Sequence, residues 1–153
     1  MIEKPKHIII KKDDAVFWLD ANGRWNNKHG IFRNKKIIDL FNSSIKKDKH
    51  GYFIYRVTDD YTEQVYFNYT DTALFVFDIK IGEKIILVLN TKQEILLKPD
   101  KLFITDDNLY MQDKKGKIKF VERALMHISK LIEDDGSALA IKVNNIKYKI
   151  QEI

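Results

Sequence analysis

Two stretches of this chain carry the same succession of patterns, and that recurrence narrows its fold more than any other feature. The first opens with Phe17-Trp18-Leu19-Asp20-Ala21-Asn22-Gly23-Arg24-Trp25. Asn-Gly between apolar runs is a strong hairpin signal, because both central residues of a two-residue type I′ turn need positive φ. Residues 103–110 have the same shape, an apolar run, an Asp/Asn turn and an aromatic, and this alignment sets Trp25 against Tyr110. Each hairpin is followed by a basic pair and a glycine, Lys28-His29-Gly30 and Lys114-Lys115-Gly116. Next comes a helical spacing: Ile37, Ile38, Phe41, Ser44 and Ile45, then Ala124, Leu125, Ile128, Leu131 and Ile132. Both sets fall at i, i+1, i+4, i+7 and i+8, on one helix face. Gly51 and Gly136 suit left-handed exits from those helices. A period-2 strand follows in each, with Phe53, Tyr55 and Val57 on one face of the first and Leu139, Ile141 and Val143 on one face of the second. Both strands turn back, through Asp59-Asp60 and Asn144-Asn145.

Between the two copies, residues 74–80 and 84–90 are apolar runs joined at Gly82-Glu83, and residues 94–97 follow a polar turn. Runs apolar at consecutive positions predict strands covered on both faces. The expected architecture is α+β: two tandem ββαββ-like repeats with mostly antiparallel sheets and two main helices, plus a central β-meander. Residues 1–70 form the first repeat unit and residues 71–153 the meander with the second, either separate or fused in one compact domain. With 44% hydrophobic and 32% charged residues the chain is globular in composition, and 6 Gly with 2 Pro leave no linker-like stretch.

The absence of cysteine rules out disulfides and thiolate metal sites. The apolar runs are strand-sized, short of the roughly 20 residues of a membrane span. Residues 1–12 hold three consecutive isoleucines among lysines, too little for a leader core, so a cytoplasmic protein away from membranes is expected.

A net charge of +5 and a pI near 9.2 raise a nucleic-acid reading. Residue choice weakens it. The only arginines are Arg24, Arg33, Arg56 and Arg123, whereas phosphate and base contacts favour the planar guanidinium fork. Lysine spread along every element reads as a solvated surface. Nucleic-acid binding through a lysine-rich face, with Tyr61, Tyr66 or Tyr69 for stacking, is kept as an alternative.

Several short motifs resemble a bacterial family, domain of unknown function 1285. They are Asn22-Gly23-Arg24-Trp25, Gly30-Ile31, Ile37-Ile38-Asp39-Leu40-Phe41, Asp48-Lys49-His50-Gly51-Tyr52-Phe53 and Val57-Thr58. The family shows an acidic-Gly-x-Trp hairpin, a Gly-x-x-Ile step, a Leu-Phe pair on a helix and an Asp-Gly-x-Tyr strand. The likeness runs on through Asp71-Thr72-Ala73-Leu74-Phe75 and resumes over residues 122–135. It departs at Asp59, where the family has proline after Val-Thr, and at Thr72-Ala73-Leu74, where it tends to Ala-Pro. The resemblance implies a mixed α+β fold of repeated units and, by analogy, a part in bacterial signalling or ligand sensing.

Candidate binding residues gather on the first hairpin. A two-residue loop at Asn22-Gly23 pairs Asp20 with Trp25 and puts Trp18 diagonally on the same face, giving two indoles and a carboxylate as a pocket floor or a packed aromatic pair. Lys28 and His29, ahead of a helix N-terminus, stand where an anion is favoured, or in a solvated turn. Trp18, Asp20, Arg24, Trp25, Lys28 and His29 are therefore the ligand-binding candidates. No catalytic residues are assigned, no cofactor is implied, and His7, His29, His50 and His127 show no metal-ligand spacing. The acidic pairs Asp59-Asp60, Asp106-Asp107 and Asp134-Asp135 are adjacent in turns and diverge, and Asp20-x-Asn22-Gly23 lacks the later acidic ligand of a calcium loop. The expected function is a non-enzymatic module that binds a small molecule, a protein or a second copy of itself. An enzyme in which Asp20, Arg24 and His29 converge is the remaining alternative.

Overall fold

The structure, a computed structural model, describes residues 6–153, so the reading of residues 1–12 falls partly outside it. It is mixed α+β, mostly strands in several sheets with two α-helices, as the pattern predicted. The chain divides into two compact units, one ending at Ala73 and the other spanning Leu74–Ile153.

The first unit contains β1 (Lys6–Ile10), β2 (Phe17–Leu19), β3 (Trp25–Asn27), β4 (Gly30–Ile31), α1 (Lys35–Ser43), β5 (Ile45–Asp48), β6 (Gly51–Val57), β7 (Tyr61–Tyr66) and β8 (Asn68–Tyr69). They make two four-stranded sheets, β4-β3-β2-β8 and β1-β7-β6-β5. Pairing is antiparallel except where β8 runs parallel to β2 and β1 parallel to β7.

The β2–β3 turn corrects the sequence reading. Leu19 stands opposite Trp25, and Trp18 opposite Asn26, so Asp20 does not pair with Trp25. The Asp20 N–H donates to the Arg24 carbonyl at 2.9 Å and the Gly23 N–H to the Asp20 carbonyl at 3.2 Å. Gly23 alone in the loop has positive φ, at 77°. This is the three-residue loop in which a type I turn precedes one left-handed residue. Asp20 selects it: its Oδ1 accepts from the N–H groups of Asn22 at 2.9 Å and Arg24 at 3.0 Å. A one-residue change of register reverses the faces. Trp25 thus shares a face with Leu19 and Phe17, while Trp18 lies on the other.

Gly30, at φ 112°, opens β4 directly after the turn at Lys28 and His29, and residues 31–34 separate it from the helix. The basic pair is therefore a strand turn, not the approach to a helix N-terminus. The start of α1 is set by Asn34, whose side chain accepts from the Ile37 N–H at 3.1 Å. The helix stops at Ser43 because the hydroxyls of Ser43 and Ser44 take up the carbonyls of Asp39 and Leu40. Ile45 opens β5 opposite Ile54, so it is no helical position, and Gly51 stands opposite Asp48 at the start of β6 instead of at the helix exit. Ile37 and Leu40 are exposed, whereas Asn42 is buried. That polar residue faces inward because the Trp25 indole Nε1 donates to its Oδ1 at 2.8 Å. Around Trp25 stand Phe67 at 4.8 Å, Phe41 at 5.3 Å and Phe17 at 5.7 Å between ring centres, all edge-on.

The second unit contains β9 (Leu74–Ile81), β10 (Ile85–Leu89), β11 (Glu94–Leu96), β12 (Leu102–Thr105), β13 (Asn108–Asp113), β14 (Gly116–Phe120), α2 (Glu122–Ile128), β15 (Ile132–Asp134), β16 (Leu139–Val143), β17 (Ile146–Lys149) and β18 (Gln151–Glu152). The meander β9-β10-β11 forms as expected and continues into a seven-stranded sheet, β11-β10-β9-β14-β13-β12-β18. A three-stranded sheet, β15-β16-β17, completes the unit. Here the type I′ geometry does occur: Asp106 and Asp107 have φ 50° and 65°, and Asn144 and Asn145 have 52° and 65°. Gly136, at φ 90°, lies between β15 and β16 and so is not the helix exit.

Ala124 and Ile128 are buried on α2, and Ile132, read as helical, begins β15. His127 has its Nδ1 3.4 Å from Asp78 on β9, with Arg123 3.7 Å from the same carboxylate. Within each unit a hairpin, a third antiparallel strand, a helix, a three-stranded antiparallel run and a short strand parallel to the first follow in that order.

Candidate ligand-binding site

The six sequence candidates separate into three places, and the cause is the register of the first hairpin. Trp25 goes to the core, 1% exposed, among Phe17, Phe41 and Phe67. Trp18, 41% exposed, stays on the outer face. There it joins Ala15, Val16, Asn27, Lys28 and His29 in lining a cleft of about 480 Å³. That is within the roughly 300–1,000 Å³ range of small-ligand sites. Among the described residues the lining carries a lysine and a histidine and no carboxylate. Val16, 78% exposed, and Asn27 were missed by sequence reasoning. For Val16 the signal was present: it stands two residues before Trp18, and alternation puts both on one face.

Asp20 and Arg24 instead clasp the hairpin tip. Arg24 Nε lies 3.6 Å from Asp20 Oδ2, and the same oxygen accepts from Asn26 Nδ2 at 3.0 Å. Asn26 Nδ2 also donates to the Arg24 carbonyl at 3.0 Å. His29 is in the turn at the other end of β3, roughly 10 Å away at strand rise. The enzyme alternative required Asp20, Arg24 and His29 to converge, and this arrangement does not bring them together. Among the described residues no group of three or more His, Cys, Asp or Glu side chains is arranged to hold a metal ion, and no helix is long and apolar enough to cross a membrane.

The Asp20 carboxyl titrates below its ordinary value. Burial acts against ionisation, but the N–H of Arg24, the amide of Asn26, the N–H of Asn22 and the charge of Arg24 together outweigh it. A depressed folded-state value contributes stability above the unfolded carboxyl pKa of about 3.9, and that contribution is lost as pH falls through the folded value. The expected result is that Asp20→Asn flattens the acid limb of the stability curve below about pH 4. Urea midpoints taken about one pH unit apart across the acid limb check this; parallel acid limbs for the two proteins would refute it.

The tyrosines considered for stacking are engaged to different degrees. Tyr66 donates its hydroxyl to Asp48 Oδ2 at 2.5 Å. Tyr69 packs edge-on against Tyr52 at 5.8 Å and Phe67 at 6.3 Å, though it remains 42% exposed. Lys46 and Lys47 sit over the rings of Tyr55 and Tyr52 at 5.3 and 5.0 Å.

No family model matches the chain, and no curated protein matches it. Two solved structures share its fold. One is a DUF1285 family protein from Silicibacter pomeroyi DSS-3, with a TM-score of 0.61 and 11% identity, over 96% of this chain and 83% of that one. The other is a DUF1285 family protein from Shewanella baltica OS155, with a TM-score of 0.51 and 18% identity, over 75% of this chain and 91% of that one. The family resemblance carried by the hairpin, helix and strand motifs therefore holds at the level of the fold.

Proposed function

We propose that this chain, which has the fold of DUF1285 proteins, is a cytoplasmic, non-enzymatic binding protein that holds a small ligand on the outer face of its first hairpin. The observation that carries the reading is Trp18, a large aromatic left exposed on a paired strand inside a cleft edged by Lys28 and His29. An indole placed there leaves apolar surface in water, which ligand binding relieves. We further read the two units as copies of one ancestral unit, on the support of the shared order of strand pairings. A role in bacterial signalling fits a binding module with no assigned chemistry, by analogy only.

The test is a thermal-shift screen against nucleotides, amino acids and sugar phosphates. A ligand held at about 100 times its dissociation constant adds about 2.7 kcal/mol of stability, a readily measured rise in melting temperature. A rise that disappears in Trp18→Ala supports the site. No shift with any of the three ligand classes, together with no partner in pull-downs, would remove the proposal.

A further inference from the structure

The two units treat the same place on their hairpins in opposite ways, and the difference identifies a ligand class. In the first unit one row across the sheet reads Asn68, Trp18, Asn26, Ile31, each opposite the next. The matching row of the second unit, built by the same pairings, reads Gln151, Phe103, Tyr110, Lys119. Phe103 therefore occupies the place of Trp18, and Tyr110 that of Asn26. This register replaces the sequence alignment of Trp25 with Tyr110.

In the second unit the two rings lie nearly parallel, 13° apart, with centres separated by 5.2 Å. The Lys117 and Lys119 ammonium groups stand over Tyr110 at 4.9 and 5.9 Å. The aromatic surface there is stacked and capped by cations from the chain itself. In the first unit the position opposite Trp18 holds an asparagine whose amide is committed to Asp20 and Arg24. Among the described residues no ring or cation packs on Trp18. Trp18 is thus half of a stack whose other half the chain supplies in one unit and omits in the other. The cleft beside it offers Lys28 and His29 and, among the described residues, no carboxylate.

We infer that the cleft takes a small molecule with a planar aromatic or heteroaromatic ring bearing an anionic group: the ring stacks on Trp18, and the anion faces Lys28. This rests on the proposed role of the hairpin as a ligand surface and specifies its ligand. Ring and anion are both needed, since the stack alone is sequestered poorly in an open cleft and an exposed lysine alone is strongly screened.

The experiment titrates adenosine 5′-monophosphate, uridine 5′-monophosphate and indole-3-acetate, with adenosine, uridine and ribose 5-phosphate as partial probes, by calorimetry and tryptophan fluorescence. The solvent-exposed emission of Trp18 is expected to be quenched, while the emission of buried Trp25 is unchanged. Trp18→Ala should weaken binding about tenfold to a hundredfold, the span for removing one stacking side chain. Trp18→Phe keeps a ring and should retain most of the affinity. Lys28→Gln should weaken the anions several-fold and leave adenosine unaffected. Asn26→Tyr, which copies the ring opposite Phe103, should close the platform and abolish binding.

Equal binding of ribose 5-phosphate would overturn the ring, and equal binding of adenosine would overturn the anion, while either result preserves the hairpin as a ligand surface. Emission that shifts with protein concentration alone would assign the cleft to a second copy and overturn the inference. So would an oligonucleotide that binds more tightly than any mononucleotide. If no aromatic anion binds while an amino acid or sugar stabilises the protein through Trp18, the ligand class is wrong and the proposed function stands.

Discussion

Replacing Trp25 with alanine should destabilise the protein by about 3–5 kcal/mol, the cost of removing a large aromatic from a packed interior. The side chain is 1% exposed and makes edge-on contacts with three phenylalanines. Its loss opens a cavity between β2, α1 and the segment at Phe67, and it also deprives buried Asn42 of the donor on its Oδ1. Trp25→Phe separates the two contributions. It restores much of the volume but leaves the Asn42 oxygen without the indole N–H, a cost of about 1–3 kcal/mol for an unsatisfied buried polar group. Trp18→Ala, on the opposite face of the same hairpin, should change stability by no more than about 0.5 kcal/mol. Urea denaturation followed by far-ultraviolet circular dichroism reads all three. If the two tryptophan-to-alanine variants proved equally unstable, the assignment of one to the core and one to the surface would fall.

The second large effect is expected at Asn90, in the other unit. This residue is 2% exposed and follows β10 immediately after the register shift between Val88 and Leu89. Its N–H donates to the Phe75 carbonyl at 2.9 Å, and its Oδ1 accepts from the Phe75 N–H at 3.0 Å. The side-chain oxygen stands where a backbone carbonyl would complete an antiparallel rung. The strand therefore bends at the bulge without leaving an orphan donor on β9. Phe75 is fully buried, so water cannot replace the lost acceptor. Asn90→Leu, which keeps the volume and removes the polar atoms, should cost about 1–3 kcal/mol. Amide exchange at Phe75 should accelerate far more than at Leu87, which lies within the regular ladder. Unchanged protection at Phe75 would show that another group satisfies it.

Trp25 also shows where the sequence was readable and where it was not. Alternating and helical spacings placed the strands and the two helices, since burial of one face imposes a period regardless of the partner. Residues 74–80, 84–90 and 94–97 were legible as a meander because unbroken apolar runs bounded by polar turns leave little choice. The ends of the helices were not. Ile45 and Ile132 fit a helical stripe by spacing, yet each begins a strand: Ile45 pairs with Ile54 and Ile132 with Ile141. A residue one turn past a helix end occupies much the same azimuth whether the helix continues or the chain extends, and only the pairing partner decides.

The candidate site was legible as a neighbourhood and not as a face. Trp18, Lys28 and His29 meet in one cleft, whereas Trp25 is withdrawn into the core and Asp20 and Arg24 close the hairpin tip. The reason is a competition within five residues. Asn22-Gly23 favours a two-residue turn, while the Asp20 carboxylate captures two N–H groups of a three-residue turn. Each is a local preference of about a kilocalorie, too close for the turn residues alone to rank. The three-residue turn also directs Trp25 toward Phe17, Phe41 and Phe67, residues 8 to 42 positions distant by number, 17, 41 and 67 against 25.

The sequence by itself determined the mixed α+β class, the central meander and the hairpin on which the candidates gather, because each follows from the spacing of neighbouring residues. Only the tertiary structure decided which indole is buried, where each helix gives way to a strand, and that Trp18 lacks, among the described residues, the ring partner that Phe103 has. Those depend on register, and register is settled by contacts between residues far apart in the chain, where a shift of one position exchanges the buried face for the exposed one.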